Sequence, residues 1–137
     1  MPDPRLAQSH ALARAYFAAV TAGELPDDLL TPDMTAWTTT QGTLSKAMYQ
    51  QMIRLLRRMC AEPLRFTIDA ITAEDDRVVA EARSVGTLID GSAYANTYVF
   101  AFRIREGRIA SIAEHFNPLV VQEKLYPVMR LLNEGGK

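Results

Sequence analysis

The chain of 137 residues has few of the groups that usually bind metals, form disulfides or recognise polyanions. It contains one cysteine, Cys60, and two histidines, His10 and His115. A disulfide framework, a cysteine-based zinc site and an all-histidine metal cage are therefore excluded. The 15 basic and 16 acidic residues give a formal net charge of -1. Because this charge is close to zero, we expect no nucleic acid partner and no membrane association. The shortage of cysteine and histidine predicts no metal.

Long apolar runs are also missing. No stretch reaches about 18 uninterrupted apolar residues, and the segment from Met1 to Arg5 lacks the apolar core of a signal peptide. The hydrophobic content of 48% and charged content of 23% are those of an ordinary globular protein. We therefore expect one cytoplasmic domain over residues 1–137, with residues 133–137 as a loose tail.

End signals mark a first and a second helix. Asp3 and Pro4 are typical of an N-cap and a first turn, and Gly23 of a C-terminal stop. Thr43 or Ser45 is placed to cap a second helix that runs to about residue 61. Its predicted apolar stripe is Met48, Met52, Leu55, Leu56 and Met59.

From residue 64 onward apolar residues recur at every second position instead of at helical spacing, which indicates strands. Strands are predicted over 64–70, 77–89, 94–104 and 108–116, with an earlier strand over 34–40. Asn117 and Pro118 then begin a closing helix that Pro127 breaks or kinks. Helices segregated from an antiparallel run of strands predict an α+β fold, a curved sheet wrapped around the first helix that leaves a cone with an apolar mouth.

Glu114 is the most informative residue for chemistry. It shares a strand face with Ile112 and Phe116, which should point toward the core. Burial raises the pKa of a carboxyl toward values useful for proton transfer. Two other interpretations remain open: an ion pair with Arg83 or Arg103 for structure alone, or a bulge that turns Glu114 to solvent.

Two further polar residues are candidates for hydrogen bonding to a ligand. Asn96 lies between Tyr94 and Tyr98 on an otherwise apolar face, where its amide either contacts a ligand or bridges strands within the core. Tyr16 lies on the first helix, where its hydroxyl either donates to a developing oxyanion or simply completes the packing.

The remaining aromatic and methionine side chains are expected to form the wall of a small-molecule pocket. His115 alternates with Glu114 and so should face solvent or an interface. The outer sheet face carries apolar residues, including Val99 and Ile109, which predicts a homodimer through that face. The predicted pocket wall is Trp37, Met48, Met52, Phe66, Tyr94, Tyr98, Phe100 and Phe116.

Three segments together resemble the nuclear transport factor 2-like superfamily, in its SnoaL-like and ketosteroid-isomerase-like branch. Residues 15–25 (AYFAAVTAGEL) are similar to the first helix and turn of the ketosteroid isomerases. Residues 94–109 (YANTYVFAFRIREGRI) resemble the long hairpin common to the branch, and residues 114–118 (EHFNP) resemble the phenazine-biosynthesis A/B proteins. The resemblance covers nearly the whole chain.

The resemblance implies a cone-shaped α+β barrel of cystatin-like type, commonly a homodimer, with a deep pocket and no cofactor. It puts Tyr16 at the isomerases' oxyanion-hole tyrosine and Thr38 at or near their aspartate base, a role that threonine does not fill. Glu114 matches the acidic residue of the phenazine proteins, whereas their middle-helix histidine has no counterpart between Met48 and Cys60.

The resulting hypothesis is a cofactor-independent enzyme that transfers protons on a hydrophobic carbonyl or polyketide-like compound. Glu114 is its general acid/base, and Tyr16 and Asn96 donate hydrogen bonds to the oxyanion. The alternative is a protein of the same pocket that binds hydrophobic ligands without catalysis, or a dimeric accessory domain.

Overall fold

A computed structural model describes residues 4–135. Asp3, the expected first cap, lies outside these residues. Within them no helix is long and apolar enough to cross a membrane. The helices are α1 (Pro4–Ala22), a 3-10 turn (Asp27–Leu29), α2 (Lys46–Met59) and a closing helix made of Pro118–Val120, Val121–Leu125 and Tyr126–Gly135. The strands are β1 (Leu30–Thr38), β2 (Gly42–Ser45), β3 (Arg65–Glu74), β4 (Arg77–Thr87), β5 (Ala93–Arg105) and β6 (Arg108–Phe116).

The strands form one six-stranded sheet in the order β2-β1-β6-β5-β4-β3. The predicted α+β class, a curved sheet around the first helix, is confirmed. Two details differ from the expectation. β1 and β6 pair in parallel, so the sheet is mixed. β2 and β3 each have one neighbour, so the sheet is open and does not close into a barrel.

Two connected clusters of buried side chains fill the concave side of the sheet. The first lies between α1, α2 and the sheet and contains Tyr16, Tyr49 and Phe100. The second lies under the closing helix and contains Tyr94 and Val128. Phe66, Phe116 and Leu56 pack against both clusters. Burial of these aromatic and aliphatic groups is the main stabilising contribution, at roughly 25 cal/mol per Å².

The predicted caps of α2 and the closing helix are present. The Ser45 hydroxyl accepts from the Met48 N–H at 3.2 Å, and the Asn117 side chain accepts from the Leu119 N–H at 3.0 Å. The closing helix runs through Pro127 without a break. Proline lacks the N–H that an α-helical turn needs, and a wider π-helical turn over Val121–Leu125 comes immediately before it. Asn133 and Glu134, expected in the loose tail, lie in this helix.

A bulge in β6 changes the expected faces of its first residues. Arg103 pairs with Ser111 and Ile104 with Ile109, so Ala110 has no partner of its own. Ile109 is consequently buried with 0% exposure. Its expected place on the outer face is therefore corrected. After the bulge the alternation resumes, and Ile112 points inward as predicted.

Gly23 ends α1 in a conformation that favours glycine. Its φ is +89°, and an added Cβ would lie 2.5 Å from the Arg57 Cγ. We expect Gly23→Ala to lower the free energy of unfolding by about 1–3 kcal/mol, measured by urea denaturation. Gly42→Ala is the matched control, since its φ is +68° and nothing lies within 4 Å of the added Cβ. Equal losses in the two variants would show that the Arg57 contact contributes nothing.

Candidate functional site

A cavity of about 310 Å³ opens between α2, the concave sheet face and the closing helix. Its volume lies at the lower end of the range for small-molecule sites. Most of the predicted wall is present: Met48, Met52, Phe66, Tyr94, Tyr98, Phe100 and Phe116 all line the cavity. Met48 is 55% exposed, which places it at the mouth. The closing helix adds Val121, Leu125, Tyr126 and Met129.

Glu114 lines this cavity from β6 and is its carboxylate among the described residues. The rest of the lining is largely apolar or aromatic, with Thr38, Thr40, Gln41 and Gln51 as uncharged polar residues. Part of its surface faces the open space, and protein atoms enclose the rest. Burial raises the pKa of Glu114 from 4.5 to about 7, and the hydrogen bond from Tyr49 lowers it in part. A carboxyl with this pKa exchanges a proton readily near neutral pH.

Two tyrosines form a chain of hydroxyls that ends on Glu114. The Tyr49 hydroxyl donates to Glu114 Oε1 at 2.7 Å, and the hydroxyls of Tyr16 and Tyr49 are in direct contact. Because Tyr49 gives its hydrogen to the carboxylate, Tyr16 donates to Tyr49. Burial is the larger cause and the negative charge of Glu114 the next, and together they raise the pKa of each phenol well above the usual value for tyrosine. Both hydroxyls therefore stay protonated and can donate.

Thr38 is the third polar group beside Glu114. The two residues are paired across β1 and β6, and both line the cavity. Thr38 is buried with 1% exposure. Its hydroxyl accepts from the Gln41 N–H at 3.1 Å. Among the described residues no acceptor for the Thr38 hydroxyl hydrogen occurs, so this hydrogen is left to donate.

Trp37 lies outside the cavity, unlike the other predicted wall residues. Met34, Ala36 and Thr38 of β1 are buried, so the alternation of the strand turns Trp37 to the opposite face. There it is 38% exposed, and its ring centroid lies 4.8 Å from that of His115. His115 is therefore on the outer face, one of the two environments expected for it.

Asn96 does not join Tyr16 and Glu114. It is buried, but it is not among the residues that line the cavity. Its side chain contacts the backbone of Asn117 and the hydroxyl of Tyr94. Of the two environments considered for this amide, the structure has the one that bridges elements inside the protein.

The alternative ion pairs for Glu114 are not formed. Arg83 lies 3.2 Å from Asp69 and Arg103 lies 3.9 Å from Asp76, all on exposed surface. None of the described residues that line the cavity is Arg, Lys or His. Glu114 therefore has no compensating cation among residues 4–135, which is why its burial raises the pKa so far. Within residues 4–135 no group of three or more His, Cys, Asp or Glu is placed to hold a metal ion.

Tyr49 is the site residue that sequence reasoning missed. The expected stripe of α2 followed Met48, Met52, Leu55 and Leu56, which face the cavity. Tyr49 and Ile53 follow a parallel line one residue further on and are buried in the core, with 0% and 2% exposure, although Ile53 also reaches the cavity. The i, i+4 spacing of Tyr49 and Ile53 was the available signal, because it marks a second apolar line on the same helix.

Comparison with known proteins identifies the family. Residues 13–112 match the SnoaL-like domain. This match covers more than half of the chain. The chain belongs to the SnoaL-like domain family. Glu114 lies two residues beyond the matched segment, so the family match by itself does not include it.

Among curated proteins, "Uncharacterized protein YesE" from Bacillus subtilis (strain 168) is 33% identical over 67 residues. The match covers 48% of this chain and 46% of that protein, so the chain matches less than half of the length of this relative.

Solved structures show the same fold. An NTF2-like protein from Anabaena variabilis ATCC 29413 is 23% identical with a TM-score of 0.75, covering 85% of this chain and 94% of that one. A candidate SnoaL-like polyketide cyclase from Jannaschia sp. CCS1 is 15% identical with a TM-score of 0.78, covering 90% and 95%. PrhC from Penicillium brasilianum NBRC 6234 is 14% identical with a TM-score of 0.76, covering 91% and 90%. The SnoaL-like family expected from the sequence is thus confirmed, and the fold is that of an NTF2-like protein.

Proposed function

We propose that the chain is a cofactor-independent acid/base enzyme that moves a proton on a carbon next to the carbonyl group of a hydrophobic compound. The observation that carries the proposal is the Glu114 carboxyl, which has no cation partner in an apolar cavity and a pKa of about 7. The candidate polyketide cyclase from Jannaschia, a structure of the same fold, supports a cyclic or polyketide-like carbonyl compound as the substrate class.

In the proposed reaction, the Glu114 carboxylate takes a proton from the carbon next to the carbonyl. The electron pair of that C–H bond forms a C=C bond, and the carbonyl oxygen becomes an enolate. Thr38, with a hydroxyl hydrogen free to donate, lies beside Glu114 to stabilise this oxygen. Glu114 then returns the proton to the same carbon, which gives exchange, or to another carbon, which gives isomerisation.

Tyr16 and Tyr49 serve as positioning residues in this scheme. Tyr49 holds Oε1 of Glu114, which leaves Oε2 for the substrate. Tyr16 donates to Tyr49 and so supports the Glu114 carboxylate through it. The expected role of Tyr16 as a direct oxyanion donor is therefore taken by Thr38 in this proposal.

The experiment uses 2-tetralone, a bicyclic ketone small enough for the cavity, in D₂O. Exchange of its α-protons for deuterium is followed by NMR with and without the protein. We expect catalysed exchange whose rate rises with pH through a single midpoint near 7, because the base form of Glu114 is the active one. Binding of the ketone without faster exchange would favour the alternative of a non-catalytic binding protein.

Tyr49→Phe provides a separate measure of the hydroxyl chain. The Tyr49 hydrogen bond lowers the pKa of Glu114, so its loss should raise that pKa above 7, by about one pH unit. Carbon-13 NMR of the Glu114 carboxyl measures this titration directly. Tyr126→Phe is the control, since Tyr126 lines the cavity on the closing helix. An unchanged or lower pKa in Tyr49→Phe would contradict the proposed arrangement.

We also propose a homodimer through the outer face of the sheet. Val79, Ala101, Ala113 and Trp37 form one apolar row across four strands, in register. Val79 and Trp37 are each 38% exposed, and Val99 beside them is 42% exposed. Such a row is more apolar than an isolated surface normally presents.

Light scattering tests the dimer. We expect a dimeric mass for the unmodified chain, and for Val99→Lys a dissociation constant raised by at least roughly tenfold, since a charge would be buried. Leu119→Lys on the closing helix, where Leu119 is 64% exposed, is the control and should stay dimeric. A monomeric mass for the unmodified chain would contradict the proposal.

A further inference from the structure

Another polar group of the cavity, the Tyr94 hydroxyl, lies far along β5 from Glu114. Phe100 of β5 pairs with Glu114, and Tyr94 lies six residues before Phe100 on the same strand. Tyr94 packs in the cluster under the closing helix, whereas Tyr16 and Tyr49 belong to the cluster between α1 and α2. Tyr94 is 3% exposed and lines the cavity. We call this region of Tyr94 and Tyr98 the far end.

Asn96 determines the direction of hydrogen bonding at the far end. Its Oδ1 accepts from the backbone N–H of Thr97 at 2.8 Å and of Asn117 at 3.3 Å. Its Nδ2 donates to the Asn117 carbonyl at 3.3 Å and to the Tyr94 hydroxyl at 3.3 Å. Because backbone groups settle which end of the amide is which, the Tyr94 oxygen must be an acceptor in this bond.

Tyr98 is the other hydroxyl at the far end. The Tyr98 hydroxyl is 2.7 Å from the Ser84 hydroxyl and pairs with it. The Tyr94 oxygen accepts from Asn96. A phenol carries one hydrogen of its own, and no acceptor for it occurs among the residues that the structure describes. Burial raises the pKa of Tyr94, so the hydrogen is retained at neutral pH.

We propose that the Tyr94 hydroxyl is a second anchoring point, which donates its hydrogen to an oxygen of the ligand. This inference rests on the proposed function in one respect, namely that the same ligand engages Glu114. The substrate class is then an uncharged, largely cyclic compound with an oxygen group at each of two separated positions. The absence of Arg, Lys and His from the described cavity lining argues against an acidic ligand. Asn96 acts as a positioning residue for Tyr94.

Two naphthols that differ at one position serve as test compounds. 6-Acetyl-2-naphthol has a hydroxyl at one end and a carbonyl at the other, and 6-ethyl-2-naphthol replaces the carbonyl by a hydrocarbon of similar shape. Titration calorimetry gives both dissociation constants. We expect the unmodified protein to bind the acetyl compound roughly 3- to 10-fold more tightly. Tyr94→Phe should bring this ratio to about one and leave the affinity for the ethyl compound unchanged.

Three variants assign the effect. Tyr98→Phe and Tyr126→Phe keep the Tyr94 hydroxyl and should retain the ratio. Glu114→Gln should weaken both naphthols together and also retain it. Loss of the ratio in Glu114→Gln but not in Tyr94→Phe would overturn the inference, because the carbonyl would then lie at Glu114. Failure of both compounds to bind the unmodified protein would overturn it as well.

If Tyr94→Phe does not fold, a measurement on the unmodified protein takes its place. Infrared spectroscopy of the bound acetyl group should show a carbonyl stretch at lower frequency than in hydrocarbon solvent, because Tyr94 donates to it. A stretch at the hydrocarbon value would overturn the inference. The infrared result and the ratio of dissociation constants test only the role of Tyr94. The proton-transfer proposal is tested separately, by catalysed exchange in 2-tetralone and its pH midpoint.

Discussion

Glu114→Gln is expected to slow the catalysed exchange of 2-tetralone protons by roughly 100- to 10,000-fold, the usual contribution of a general base. Glutamine has nearly the shape of glutamate, and its amide oxygen still accepts from the Tyr49 hydroxyl. It does not accept a proton from carbon at neutral pH. The substitution therefore removes the chemistry and keeps the packing of the cavity.

Glu81→Gln is the matched control for this measurement, since Glu81 is exposed on the opposite face of the sheet. It should retain the full rate. If Glu114→Gln still showed a pH midpoint near 7, whatever its remaining exchange rate, the titration would belong to another group. A loss of less than roughly tenfold would remove Glu114 from the role of general base.

The second large effect is on stability. The protein should lose stability as the pH rises from 4 to 8.5, relative to Glu114→Gln, by about 3 kcal/mol. The cause is the raised pKa of Glu114, about 7 in the folded chain against its usual 4.5. Glutamine is neutral in both states and so does not contribute this pH dependence.

The direction follows from proton binding. Below pH 4.5 the Glu114 carboxyl is protonated in both the folded and the unfolded chain, so folding costs nothing extra. Between pH 4.5 and about 7 the folded chain keeps a proton that the unfolded chain has released, and stability falls with rising pH. Above about 7 a charge is buried without a cation partner, and the whole penalty is present.

Urea denaturation of both proteins at several pH values measures this difference. Glu24→Gln is an informative control, because the hydrogen bond from Arg54 lowers the pKa of Glu24. Its difference from the unmodified protein should change with pH in the opposite direction. A pH-independent difference for Glu114→Gln would mean that Glu114 titrates at its usual value in the folded chain.

Much of the fold was predictable from local patterns. The change of hydrophobic period after residue 63 indicated the long strands, since side chains alternate across a sheet. The caps at Ser45 and Asn117 marked helix starts, because their side chains accept from N–H groups left free at a helix start. The parallel pairing of β1 with β6 was not predictable, because the strands are far apart in sequence and pairing partners leave no local signal.

The site was predictable in part. Glu114 was identified because one strand face carries Ile112, Glu114 and Phe116, and alternation from Ile112 onward turned that face inward. Trp37 was misplaced because the alternation of a short polar strand does not reveal which side faces the core. Tyr49 was missed because α2 has two adjacent apolar lines, and the face that meets the core depends on how the helix is rotated against the sheet.

The sequence by itself determined the order of the helices and the longer strands, the family resemblance and the presence of one inward carboxyl, but not the short strand β2. These depend on the spacing of apolar residues and on capping groups, which act over a few neighbouring positions. Tertiary structure alone decided that Tyr16 and Tyr49 lead to Glu114, that no cation of the described residues reaches it, and that Asn96 orients Tyr94 rather than a ligand. Hydrogen-bond partners and compensating charges come from elements distant in the chain, so the pKa of Glu114 is a property of the packed protein.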